Sequence, residues 1–205
     1  MVGTDVVHYP ERAFSELTVA AHDRPGLFAT ITGVLTANSM NILWASIATG
    51  ADGRVLDVFR VSHGENPELA QDPDRWARIG VTLEKALAGA VEDEALVAQT
   101  GKRPSYMARK YVPRVNTSIE IDNDVSDHFT VIDVYTGDRP GLLFTITNTL
   151  FHEGLSVHLA KITTNVDQVL DVFYVTDEDG RKLEDDRQQQ VRRTLEAHLG
   201  EPAEI

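Results

Sequence analysis

The pentapeptide Asp23-Arg24-Pro25-Gly26-Leu27 recurs as Asp138-Arg139-Pro140-Gly141-Leu142. Each copy follows an alternating segment and precedes apolar residues at helical spacing, so it links a strand to a helix start. A helix N-terminus carries unpaired N–H groups and a partial positive charge, which suits a carboxylate. Gly26 and Gly141 lack a Cβ and let backbone and ligand approach closely. Asp23 and Asp138 offer a carboxylate that accepts from an ammonium group. An anionic and a cationic group together describe a free amino acid. The same residues also make an ordinary helix start, in which Asp caps, Pro rigidifies the first turn and Gly turns the chain. Residue types alone leave both readings open.

The repetition extends well beyond the pentapeptide. From Asp23 to Leu35 and from Asp138 to Leu150, 9 of 13 positions are identical. Val55-Leu56-Asp57-Val58-Phe59-Arg60-Val61 returns as Val169-Leu170-Asp171-Val172-Phe173-Tyr174-Val175, 6 of 7 identical. The offset is 115 in the first block and 114 in the second. That period is the size of a small domain and too long for a solenoid unit. We read a duplicated domain: 1–90, a linker 91–116, and 117–200.

Each copy divides into elements. Phe14 to Ala21 and Phe129 to Thr136 alternate as strands. Asp23 and Asp138 take N-cap positions, and Leu27, Ile31, Val34 and Leu35 form a helical stripe matched by Leu142, Ile146, Thr149 and Leu150. Gly154 closes the second copy's helix as a C′ residue; Asn38 or Ser39 does so in the first. Two strands follow, Asn41 to Thr49 and Arg54 to Ser62, with Ser156 to Thr164 and Val169 to Thr176 as their counterparts. A second helix begins at Asp72-Pro73 with Trp76, Ile79, Leu83 and Leu87 as its stripe, and Val191, Leu195 and Leu199 repeat it. Upstream hairpin strands, Thr4 to His8 and Thr117 to Asp122, complete a ββαββα order. This is a ferredoxin-like β-α-β-β-α-β unit with its last strand moved to the front. The expected class is α+β, with two antiparallel four-stranded sheets, each carrying two helices on one face. Leu56 and Val58 point to one face of their strand, Phe59 and Val61 to the other, which implies a sheet covered on both sides by another unit of this chain or of a second copy.

Composition excludes several functions. Of the 205 residues, 42% are apolar and 25% charged, enough for a core without metal or disulfide support. The 32 acidic and 19 basic residues leave a net charge of −13, against nucleic acid as the main partner. There are no cysteines, which removes thiol catalysis and is compatible with the cytoplasm, the expected compartment. No apolar run reaches the roughly 18 residues of a membrane span. The seven histidines are scattered, with no metal-ligand spacing, and no nucleophile elbow, P-loop or dinucleotide fingerprint occurs. No catalytic residue, metal or cofactor is expected. Residues 101–118 carry Lys102, Arg103, Arg109, Lys110 and Arg114 without an acid, either a solvated linker or a docking strip for an acidic surface.

The duplicated turn, the Val-Leu-Asp-Val-Phe strands, the Ile119-Glu120-Ile121-Asp122-Asn123 lead-in and the segment Thr176-Asp177-Glu178-Asp179-Gly180-Arg181-Lys182-Leu183 together resemble the ACT domain, a small ligand-sensing module. They are similar in particular to the C-terminal tandem ACT regions of bacterial uridylyltransferase/uridylyl-removing enzymes that modify the PII nitrogen-signalling protein. The resemblance implies glutamine as ligand, bound where the turn of one unit faces the second strand of another. Carried over, the candidates are Asp23, Gly26 and Leu27 with Asn41 and Ile42 in copy one, and Asp138, Gly141 and Leu142 with Ser156 and Val157 in copy two. Asn41 matches the usual amide at that strand start and Ser156 departs from it. The implied partners are the catalytic domains of a parent nucleotidyltransferase, PII through them, and a homodimer through ACT pairing. A start shortly before the first strand fits a piece of a longer enzyme. The alternatives are a stand-alone tandem ACT regulator sensing another amino acid, and a pure interaction module.

Overall fold

The computed structural model describes residues 2–50, 52–63, 71–88, 116–139, 141–165 and 168–200. The first copy contains β1 (Gly3–Tyr9), β2 (Phe14–His22), α1 (Leu27–Ala37), β3 (Asn41–Ser46), β4 (Arg54–Ser62) and α2 (Pro73–Leu87). The second contains β5 (Ser118–Asp122), β6 (Thr130–Gly137), α3 (Leu142–His152), β7 (Ser156–Asn165), β8 (Gln168–Thr176) and α4 (Asp185–Leu199). The basic segment singled out above lies, but for its last residues, outside the described residues.

Instead of two separate four-stranded sheets, the strands form one eight-stranded sheet in the order β1-β2-β4-β3-β7-β8-β6-β5. Each half keeps the strand order of a ferredoxin-like unit, and the halves join where β3 pairs with β7 through Ser46 and Lys161. Equivalent residues occupy equivalent registers: Leu17 lies opposite Phe59 in one half, Ile132 opposite Phe173 in the other. Both phenylalanines are fully buried.

The helices share one face of the sheet. α1 packs on α3 at the centre, with α2 and α4 outside them. This placement explains their sequences. α1 buries Leu27 through Leu35 without interruption, as a helix enclosed on all sides must. Its buried Thr32 donates back to the Ala29 carbonyl at 3.0 Å, so its hydroxyl is not left orphaned. α2 buries only Ile79, Leu83 and Ala86, and α4 only Val191, Leu195 and Leu199, the single stripes of outer helices. Asp72 caps α2, its carboxylate accepting from the Asp74 N–H at 3.0 Å.

Two further expectations change. Among the described residues the second unit extends the sheet and does not cover its far face, where Leu56 is 54% exposed and Leu170 is 49% exposed. β3 ends at Ser46, three residues early, and only an isolated bridge between Thr49 and Val55 continues it. The helix ends are as expected: Ser39, at φ 60°, is the left-handed residue after α1, with Asn38 as the cap, and Gly154, at φ 69°, closes α3. No helix among the described residues is long and apolar enough to cross a membrane.

Candidate functional site

β2 delivers the chain to the first turn, where the Asp23 N–H donates to the Gly53 carbonyl at 2.8 Å. The residue immediately before α1 is Gly26, in the left-handed region at φ 74°, and before α3 it is Gly141 at φ 79°. Neither helix has a side-chain cap. The N-cap role expected of Asp23 and Asp138 is therefore corrected: the aspartates stand three residues too early, and glycine makes the entry. The Leu27 N–H donates to Arg24 O at 3.2 Å and the Thr30 N–H to Gly26 O at 2.8 Å. The amides of Phe28 and Ala29 are left without an intrahelical partner, as the first turn of a helix dictates.

The arginine of the motif has a structural task. Arg24 donates to the carbonyls of Leu87 at 2.7 Å and Ala86 at 3.2 Å, closing the last turn of α2. Arg139 does the same for Leu199 at 3.3 Å and His198 at 3.1 Å at the end of α4. A cation on the carbonyl end of a helix is favourably placed against the helix dipole.

The candidate residues assemble across copies, not within them. Asp23, Gly26 and Leu27 line one cavity together with Ser156 and Val157. Asp138, Gly141 and Leu142 line another together with Asn41 and Ile42. Each turn thus faces the strand start of the other unit, the relation between units that the family resemblance implies, with Asp23 set against Ser156 and Asp138 against Asn41. The contact is close: a Cβ on Gly26 would meet the Phe151 ring at 3.1 Å, and one on Gly141 would meet Thr36 Cγ2 at 3.2 Å.

The two cavities differ greatly in size. The one at Asp23 encloses about 490 Å³, within the range of small-molecule sites. The one at Asp138 encloses about 20 Å³, room for about one water. Smaller side chains stand at the strand start in the larger cavity, Ser156 and Val157 where the other has Asn41 and Ile42.

Each cavity also contains an aspartate absent from the candidates. Asp57 on β4 and Asp171 on β8 are equivalent, and each is 1% exposed. Neither oxygen of Asp57 has a hydrogen-bond partner; Asp171 accepts at 3.3 Å from the Thr163 N–H through Oδ1 only. Burial pushes Asp57 up to about 7, with the nearby charge of Asp23 adding to the rise and the Ala48 backbone opposing it. Burial likewise pushes Asp171 up to about 8, the Thr163 backbone opposing and Asp138 adding. The sequence contained the signal: an acid at the inward parity of a strand, on the side of Val55, Phe59 and Val61, twice.

Residues 118–205 match the family model of an ACR9-like, ACT-like domain. The chain is 38% identical over 191 residues to the bifunctional uridylyltransferase/uridylyl-removing enzyme of Gluconobacter oxydans. It is 35% identical over 200 residues to that of Rhodospirillum rubrum, and 35% over 193 residues to that of Azospirillum brasilense. The matches cover 93–97% of this chain and 20–21% of the relatives. A crystal structure of aspartate kinase from Synechocystis aligns with 90% of this chain and 26% of that one, at 15% identity and a TM-score of 0.47. The chain therefore resembles bifunctional uridylyltransferase/uridylyl-removing enzymes along nearly all of its length, spans about a fifth of theirs, and carries an ACT-like domain in its second half.

Proposed function

We propose that this chain is the amino-acid-sensing, non-catalytic regulatory segment of a uridylyltransferase/uridylyl-removing enzyme, built as two ACT units in ββαββα order, with glutamine as its ligand. The observation that carries the reading is the cavity of about 490 Å³ between the two units. A helix start with unpaired amides faces it from one side and carboxylates line it, the complement of a zwitterion. The resemblance to the uridylyltransferases supplies glutamine as the amino acid, and the catalytic domains of a parent enzyme and PII as what the signal reaches. A ligand lodged between two units favours the packing that fits it, and couplings of this kind are typically about 1–3 kcal/mol.

Thermal melts with each of the twenty amino acids test the reading. Glutamine at a hundred times its Kd raises stability by about 2.7 kcal/mol. A melt unmoved by glutamine but raised by another amino acid keeps the sensor and removes the specificity. A melt unmoved by any of them leaves only an interaction module.

A further inference from the structure

We propose that Asp57 receives the ammonium group of the amino acid held in the larger cavity, while the ligand's carboxylate lies on the Phe28 and Ala29 amides. This assignment rests on the amino-acid-sensing reading above and adds a residue to it.

Asp57 projects from β4 on the same side as Val55 and Phe59, beneath the helix layer, and lines the cavity. It is 1% exposed, and neither of its oxygens has a hydrogen-bond partner. A buried acceptor in that state carries a desolvation penalty that the Ala48 backbone offsets only in part. An ammonium group supplies three donors and a positive charge, so binding removes the penalty. Asp23, at the rim, is exposed and already hydrated, and gains less from the same partner.

The other charges around the cavity agree. Asp23 and Glu178 line it along with Asp57, and Arg24 is the one cationic side chain that does so among the described residues. Both terminal nitrogens of Arg24 are engaged by the Leu87 and Ala86 carbonyls. The side chains therefore favour a cationic group, and the helix start is left to the anionic one. Asp171 provides an internal comparison: it has the same burial but stands at a cavity of about 20 Å³, too small for an amino acid.

Calorimetry with L-glutamine on the intact chain tests this, comparing the wild type with Asp57→Asn and Asp171→Asn and repeating each titration with 4-carbamoylbutanoate, which lacks the amino group. We expect Asp57→Asn to bind glutamine roughly ten- to a hundredfold more weakly and Asp171→Asn to bind it as the wild type does. In Asp57→Asn the preference for glutamine over the deamino analogue should vanish. Melting curves check that the variants fold. A second measurement needs no variant: titrations of the wild type at pH 6 in two buffers of different ionisation enthalpy should show a proton released on binding. Undiminished, amine-selective binding by Asp57→Asn, or no proton release, overturns the assignment and leaves the sensing reading standing. No binding of any amino acid to the wild type overturns both.

Discussion

Thr32 and Thr147 stand 115 residues apart, the spacing of the internal repeat, and their hydroxyls meet at 2.9 Å in the buried contact between α1 and α3. A residue bonded to its own duplicate lies on the pseudo-twofold axis relating the copies. Each hydroxyl also reaches a carbonyl of its own helix, Ala29 for Thr32 and Leu143 for Thr147. With one proton per hydroxyl, one threonine donates across the axis while the other donates backwards.

Replacing either threonine by valine removes the same bond. Thr32→Val and Thr147→Val should each cost about 0.5–1.5 kcal/mol, and the double variant less than their sum, with a coupling of at least about 0.5 kcal/mol. Denaturant titrations of the four proteins measure it. Strict additivity would show that the pair is not a unit.

Gly26 is constrained twice, by φ 74° and by the Phe151 ring at 3.1 Å from its virtual Cβ. Gly180 has φ 75° and open space around it. Gly180→Ala should cost the conformational amount alone, about 1–2 kcal/mol. Gly26→Ala should cost more, and Phe151→Leu in the same chain should recover the excess. Equal losses at the two glycines would mean that the ring yields freely.

Arg24→Met should free the last carbonyls of α2 and cost about 1.5–3 kcal/mol, the amount of hydrogen bonds to a charged group. Hydrogen exchange should quicken in the final turn of α2 and not in α4. Arg139→Met should give the converse. Exchange that rises in both helices at once would contradict separate clamps.

The buried aspartates set a pH dependence. Their ordinary value is 3.8, and the folded protein holds Asp57 at about 7 and Asp171 at about 8. Between those limits the native state binds more protons than the unfolded one, so these two groups make stability fall as pH rises. Their contribution is full below pH 3.8, declines at up to about 1.4 kcal/mol per pH unit for each group, and levels off above about 7 for Asp57 and about 8 for Asp171. Other carboxylates titrate in the acid range, so the check is a difference. Asp57→Asn and Asp171→Asn should each flatten the curve of stability against pH between 5 and 8, and a curve unchanged in slope would place the proton elsewhere.

The local features of this fold could be read directly. The identity of Asp23–Leu35 with Asp138–Leu150 gave the duplication, and alternation at Phe14–Ala21 gave a strand, because both are properties of neighbouring residues. Relationships between distant residues were hidden. Arg24 meets carbonyls more than sixty positions away, and a backbone carbonyl has no residue type to betray it. That the Asp23 turn faces Ser156 of the other unit came from the family resemblance and not from the pattern of either unit, because it depends on how the two dock. Asp57 sat in a motif used only as a repeat marker, although an acid among inward valines and a phenylalanine was itself a chemical statement.

The join between the halves has a mechanical consequence. Along the middle of the eight-stranded sheet, among the described residues, one register pair, Ser46 with Lys161, is all that stitches β3 to β7. Elsewhere a ladder of main-chain bonds resists shear; here side-chain contact must do so. A shear along that line breaks fewer main-chain bonds than one between any other neighbouring strands of the sheet.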